Sequence, residues 1–353
     1  MNQAPRMRAM VLPEWNGPLE LRELPRPEPG PGEVLVRVVA CGAGLTLQHI
    51  RAGLLGGEPP VIMGHELGGV IEQLGAGVDV WRPGQRVTAS FNLFCGVCRM
   101  CASGHESRCE RHAGFIGALR DGAFADYVVV PARNLVDVPA GVDLRLAGMI
   151  SDAVATPYHA ARERARLLPG ERVAVLGAGG GVGVHMVEMA QAFGADVVAV
   201  ERDAAKSQRL RELGMTVLEV SEDSSAADLI EVAGGEIDAV FDMVSTQETF
   251  QLGYESLAIG GRLVIVGAHP SKLAGIGSLD MITKEKSILG SRNVTRAEIA
   301  ETLELVASGK VATHVGASFP LERLEDAFEA IAANTVFGRI VVDVSDEARS
   351  ADG

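Results

Sequence analysis

From residue 8 onward, in "RAMVLPE" (8–14), apolar and polar positions follow the two-residue period of a half-buried strand. The Pro/Gly-rich turn "LPRPEPGPGE" (24–33) leads into "VLVRVVA" (34–40), whose β-branched run suits a buried strand. "GGVIEQLGAGV" (68–78), "GQRVTAS" (84–90) and "GAFADYVVVPARNLVDVP" (122–139) continue as short strands punctuated by glycine. The spacing predicts an all-β region, a partly closed barrel.

The pattern changes near residue 150. "AGMISDAVATPYHAARERARL" (147–167) has helical periodicity, and "GERVAVLGAGGGVGVHMVEMAQAFGADVVAVERD" (170–203) gives strand, glycine loop, helix and strand. "LRELGMTVLEV", "IDAVFDMV", "TFQLGYESLAIGG" and "RLVIVGA" extend the alternation, predicting a doubly wound parallel sheet covered by helices up to residue 292. Two amphipathic helices follow, "TRAEIAETLELVASG" (295–309) and "LEDAFEAIAAN" (324–334), and then a strand, "GRIVVDV" (338–344), able to rejoin the first region. The expectation is an α/β protein with an all-β part. Residues 1–152 and 297–353 form one domain and 153–296 the other, as a chain of 353 residues suggests two cores.

Apolar residues at 47% and charged residues at 22% are ordinary for a folded chain, with disorder expected at most at the ends. A formal charge of -14 argues against a nucleic-acid footprint, because phosphates are neutralised by basic surface. No apolar run reaches the ~18 residues of a membrane span, and no apolar segment follows the arginines of "MNQAPRMRAMVLPEW". A cytoplasmic protein is therefore expected. Four of the five cysteines fall between 95 and 109, which suits a metal site better than a disulfide framework.

Two stretches carry recognisable chemistry. In "VAVLGAGGGVG" (173–183), Gly177, Gly179, Gly180, Gly181, Val182 and Gly183 follow a strand and open a helix. Glycines there let the backbone turn and approach a pyrophosphate, whose charge rests on free amides at the helix N-terminus. The next strand ends in Glu201, placed to hydrogen-bond a ribose diol and to repel a 2'-phosphate, so NAD is expected over NADP, with the adjacent Arg202 as a counterweight. The second stretch, "CGVCRMCASGHESRC", sets Cys95, Cys98, Cys101 and Cys109 at a spacing that turns four thiolates onto one ion. A closed four-thiolate shell means structural zinc, with an iron–sulfur cluster as the rival.

With "PGPGEVLVRVVACG", "MGHELGGVIEQLGAGV", "AIGGRLVIVG" and these two stretches, the chain resembles the zinc-containing medium-chain dehydrogenase/reductase family, the alcohol dehydrogenases, along essentially its whole length. The resemblance implies a GroES-like β domain with its active site in a cleft against a Rossmann domain, and a homodimer or homotetramer. It implies a catalytic zinc held by a cysteine, by His65 of "GHE" with Glu66 beside it, and by Asp152, for which helix N-capping is the plainer role. Laid over the family's usual A-C-G-V-C-H-T-D-L-H, "ACGAGLTLQH" puts Gly44 at the cysteine ligand position and Leu47 at the supporting aspartate. Cys41 then reads as a small buried hydrophobe. Thr46 and His49 match the proton relay, with a helix cap and a surface residue as their plainer readings. Phe91, Asn92, Phe115 and Leu47 match or adjoin the substrate pocket, and Arg339 matches a cofactor-contacting arginine.

The expected activity is NAD-dependent interconversion of a secondary or cyclic alcohol and its carbonyl compound on a small-molecule substrate, with an atypical catalytic zinc site. A zinc-independent reductase of a polarised carbon–carbon double bond is the alternative. A non-catalytic cofactor-binding protein stands third, disfavoured by the retention of Thr46, His49, His65, Glu66 and Asp152.

Overall fold

The computed structural model describes residues 5–270 and 272–345; residues 1–4, 271 and 346–353, and with them the last stretch assigned above to the first domain, lie outside the described residues. The chain forms two compact units. One contains residues 5–155, 293–309 and 315–345, and the other 156–292 and 310–314.

In the first unit the strands are β1 (Arg6–Leu12), β2 (Glu20–Pro25), β3 (Glu33–Ala43), β4 (Val61–Ile62), β5 (Glu66–Leu74), β6 (Arg86–Ala89), β7 (Tyr127–Pro131) and β8 (Leu135–Asp137). The long strand β3 organises them. Its first half pairs with β7, its second half with the final strand of the chain, and its other edge with β5 along most of its length. Val34, Val36 and Val38 alternate into the main core, as a period of two requires, and register shifts at Leu35/Val36 and Val38/Ala40 bend the strand. A separate three-stranded sheet runs β2-β1-β4, giving a partly closed rather than a closed barrel.

The second unit holds β9 (Arg172–Leu176), β10 (Asp196–Glu201), β11 (Thr216–Glu219), β12 (Ile237–Asp242), β13 (Leu257–Ile265) and β14 (Ser287–Gly290). All pair in parallel, in the order β11-β10-β9-β12-β13-β14. Counted within the unit this is 3-2-1-4-5-6, the doubly wound dinucleotide-binding order. Its central strand β9 is buried from Val173 to Leu176, so the apolar run there is continuous instead of alternating.

The chain returns to the first unit with the helix Arg296–Ala307, opened by a Thr295/Glu298 capping box, and ends in β15 (Val315–Pro320) and β16 (Arg339–Asp343). Strand β16 pairs antiparallel with β3, Ile340 opposite Ala43, so the terminal apolar strand rejoins the first unit as its pattern predicts. That register brings Arg339 to the end of β3, where Gly44 begins the loop into the helix Thr46–Arg51.

Candidate functional site

The glycine loop follows β9. Gly177 has φ of 77°, and a Cβ on Gly183 would lie 2.1 Å from the Gly177 carbonyl oxygen, so only glycine allows the helix Gly183–Ala192 to start this close to the turn. No side chain caps that helix. Val184 N–H donates to the Gly180 carbonyl at 3.2 Å, and with no capping side chain the helix N-terminus presents its positive end to an anion. Glu201, at the end of β10, accepts hydrogen bonds from the backbone N–H of Gly179 (2.8 Å), Arg202 (2.8 Å) and Asp203 (3.0 Å). Three donors fix a carboxylate against the loop, while the Arg202 side chain is exposed. These residues fit a dinucleotide with an unsubstituted ribose diol.

No motif singles out the residue that steadies the loop, His185. His185 is fully buried; its Nδ1 pairs with the Gly181 carbonyl oxygen at 2.8 Å and its Nε2 accepts the His314 N–H at 3.0 Å. His314 in turn contacts Glu188 at 2.8 Å. Burial holds His185 down to about 4, so the ring is neutral.

The four cysteines lie in a lobe with little core of its own, Phe94, Cys98 and Cys109 being its buried apolar cluster. Sγ–Sγ separations are 3.5 Å (Cys98–Cys101), 3.8 Å (Cys98–Cys109) and 3.9 Å (Cys95–Cys101). A tetrahedron with zinc–sulfur bonds of about 2.3 Å has edges of about 3.8 Å, so the donor set fits zinc. The backbone favours thiolates. Cys98 N–H donates to Cys95 Sγ, and Cys95 N–H to Cys109 Sγ, each at 3.3 Å. The Cys101 N–H leads the contacts that lower Cys98 to about 6. Asn92 anchors the lobe by donating to the Glu106 carbonyl at 2.8 Å, while Glu106 Oε1 accepts the Arg296 N–H at 3.0 Å.

A second cluster lies at the end of β3. Ligand atoms of His65, Glu66 and Asp152 lie within 4.8 Å of one another, with His65 Nε2 3.4 Å from Asp152 and 3.7 Å from Glu66. Neither ring nitrogen of His65, itself buried, makes a hydrogen bond. Such an imidazole is available to a ligand. Phe91 covers it edge-on at 4.9 Å and leads to Phe115 at 5.6 Å.

Asp152 does not cap its helix. Asp143 does so, accepting the Arg145 N–H at 2.9 Å, because the helix begins at Leu144, about two turns before Asp152; Asp152 lies in a π-helical turn, Ile150–Val154. Nor does Thr46 act as a cap, since the cap position is Leu45; Thr46 and His49 are half-buried in the short helix Thr46–Arg51. Leu47 is fully buried in the main core.

Arg339 joins this cluster. Its guanidinium pairs with both oxygens of Glu66, with Nε 3.1 Å from Oε2, and Nη2 lies 3.9 Å from Asp152. Two glycines make the pairing possible. A Cβ on Gly42 would lie 2.0 Å from Glu66 Oε2, and a Cβ on Gly44 2.0 Å from Arg339 Nη1. Burial lowers Arg339 only to about 10, so it remains a cation at neutral pH. Cys41 is fully buried and outside the cluster, its Sγ 3.5 Å from the Gly42 carbonyl, and burial pushes its thiol far up. A second zinc would thus find His65 and Asp152, no thiolate, and a buried cation already on Glu66. That donor set does not fit a dication.

The chain matches the family model described as alcohol dehydrogenase GroES-like domain over residues 30–140 and the zinc-binding dehydrogenase model over 181–308. It is 34% identical to an alcohol dehydrogenase of Geobacillus stearothermophilus, covering 96% of this chain and 100% of that protein. It is 30% identical to an acryloyl-coenzyme A reductase of Sulfurisphaera tokodaii, covering 95% and 99%. A solved NAD-dependent alcohol dehydrogenase superposes with a TM-score of 0.89 at 30% identity, over 96% of this chain and all of that one. Among the described residues no helix is long and apolar enough to cross a membrane. The chain belongs to the zinc-containing medium-chain dehydrogenase/reductase family and is an oxidoreductase of the alcohol dehydrogenase type.

Proposed function

We propose that the protein interconverts a small secondary or cyclic alcohol and its carbonyl compound with NAD(H). The observation that carries the cofactor assignment is Glu201, held by three backbone donors beside Gly179 and the uncapped helix N-terminus. NAD, when bound, supplies or accepts the hydride. In this reading the amides around Gly180, Gly181, Val182 and Gly183 hold the pyrophosphate, and Glu201 orients the ribose diol and disfavours a 2'-phosphate. His65, with no hydrogen bond of its own, interacts with the reacting oxygen, and Phe91 and Phe115 exclude water beside it. Thr46 and His49 conduct the proton to solvent. Cys95, Cys98, Cys101 and Cys109 hold a structural zinc that folds the lobe.

A second reading, reduction of a carbon–carbon double bond conjugated to a carbonyl, is favoured by the Arg339 guanidinium beside Gly44, since an enolate needs a fixed cation but no metal-bound alcohol. The acryloyl-coenzyme A reductase among the relatives is consistent with it. NADH oxidation with a panel of ketones and enones, followed by product analysis, tests both. Allylic alcohol from the enone supports the first reading and saturated ketone the second. Turnover with neither, at any pH, would overturn the proposal, and a preference for NADPH would overturn the role given to Glu201.

A further inference from the structure

We infer that the Arg339 guanidinium is the resident cation of the His65/Glu66/Asp152 centre, standing in the space a side chain at position 44 would fill, so that the centre works without a second metal. The inference rests on the hydride-transfer reading and adds what stabilises the developing charge. Gly44 and Arg339 are sterically matched: an ideal Cβ on Gly44 lies 2.0 Å from Nη1, 2.3 Å from Cζ and 2.5 Å from Nη2. Any residue with a Cβ at position 44 would require this guanidinium to shift. Gly44 is not among the glycines with positive φ, so backbone conformation does not account for it.

The remaining groups fit one positive charge. Glu66 takes Nε and Nη2 of the arginine, and Asp152 lies 3.9 Å from Nη2. Nη1 makes no hydrogen bond among the described residues, and its neighbours at Gly44 bring no side chain to compete for it. A buried guanidinium with a donor to spare, next to an imidazole with no hydrogen bond, resembles a preorganised oxyanion site more than a metal shell.

In the reduction direction the substrate carbon would receive a hydride supplied by bound NADH, which is thereby oxidised to NAD+. The carbonyl π pair, or the conjugated pair of an enone, moves onto oxygen, and the resulting anion is held by Nη1. A proton from solvent completes the product, on oxygen for an alcohol or on the α-carbon for a saturated carbonyl compound, and NAD+ leaves. Arginine stays protonated throughout, so the proton comes from elsewhere.

The test combines a metal count with kinetics on the full-length chain. After equilibration with excess zinc sulfate and desalting, elemental analysis is expected to find one zinc per chain. Arg339→Ala is expected to lower kcat by about 10²–10³-fold with little change in KM for NADH, and free guanidinium chloride, far below denaturing concentration, to restore part of it. Arg339→Lys, which keeps charge and stem, is expected to retain more activity than Arg339→Ala. Added zinc should rescue neither. Two zincs in the unaltered chain, or Arg339→Ala with unchanged kcat, would overturn the inference. If both variants fail to fold, the metal count on the unaltered chain decides alone. Absence of NADH-linked turnover in the unaltered protein would sink the hydride reading instead, leaving the count to speak for the cation.

Discussion

Gly44→Ala is the smallest change that tests the match between glycine and guanidinium. One methyl group is added where Arg339 Nη1 would lie 2.0 Å away. The guanidinium must shift, and the expected result is loss of its pairing to Glu66, whose carboxylate is fully buried while Arg339 is 5% exposed. Separating a buried pair costs about 3–5 kcal/mol, because a charge is left uncompensated. Lower backbone entropy of the unfolded alanine chain returns about 0.4–1 kcal/mol, leaving a net loss of about 3 kcal/mol. For a unit of this size that is a fall in Tm of about 6–12 °C. Scanning calorimetry on Gly44→Ala, Arg339→Ala and the double variant completes a cycle. With Arg339 truncated, Gly44→Ala should cost within about 0.5 kcal/mol of nothing, giving a coupling near 3 kcal/mol. Equal cost of Gly44→Ala in both backgrounds would refute the steric argument.

Other consequences are separable from this one. Glu201→Gln removes charge from three backbone hydrogen bonds and from the proposed ribose contact; KM for NADH should rise about ten- to a hundredfold, and preference over NADPH should narrow, both read from steady-state kinetics. Cys109→Ser should abolish the single zinc and lower the Tm, and elemental analysis that still finds one zinc per chain would contradict the four-thiolate assignment. His185 has a folded pKa of about 4, below its unfolded value, so its contribution is complete above pH ~6.5 and lost as pH falls toward 4, by about 3 kcal/mol in all. Urea unfolding across that range should show this loss in the parent and not in His185→Gln, whose amide does not titrate.

The sequence made the architecture readable where burial is one-sided or complete. The β-branched run of β3 and the continuous apolar run of β9 announce buried strands, and "GRIVVDV" announces the return of β16. Strand β15 carries no sequence signal, because "VGASFP" is half-exposed along its length and has no apolar period. The helix start at Leu144 is hidden in the sequence because its cap, Asp143, follows "PAGV", which reads as the end of a strand. Spacing alone located the four cysteines, since the ligands come from one short segment. The ion pair at Gly44 had no such signal. Arg339 and Glu66 lie 273 residues apart, and they meet only because β16 and β5 both flank β3. The resemblance implies a cofactor contact for Arg339; the fold shows its guanidinium paired with Glu66. That glycines at 42 and 44 leave room for two charged groups becomes visible only in three dimensions.

The central claim is that one cation at this centre is an arginine. Anomalous scattering at the zinc absorption edge, from crystals grown with zinc present, tests it most directly. One anomalous peak per chain is expected, inside the tetrahedron of Cys95, Cys98, Cys101 and Cys109, with guanidinium density lying over Gly44. A second peak between His65 and Asp152, with Arg339 turned away, would contradict it.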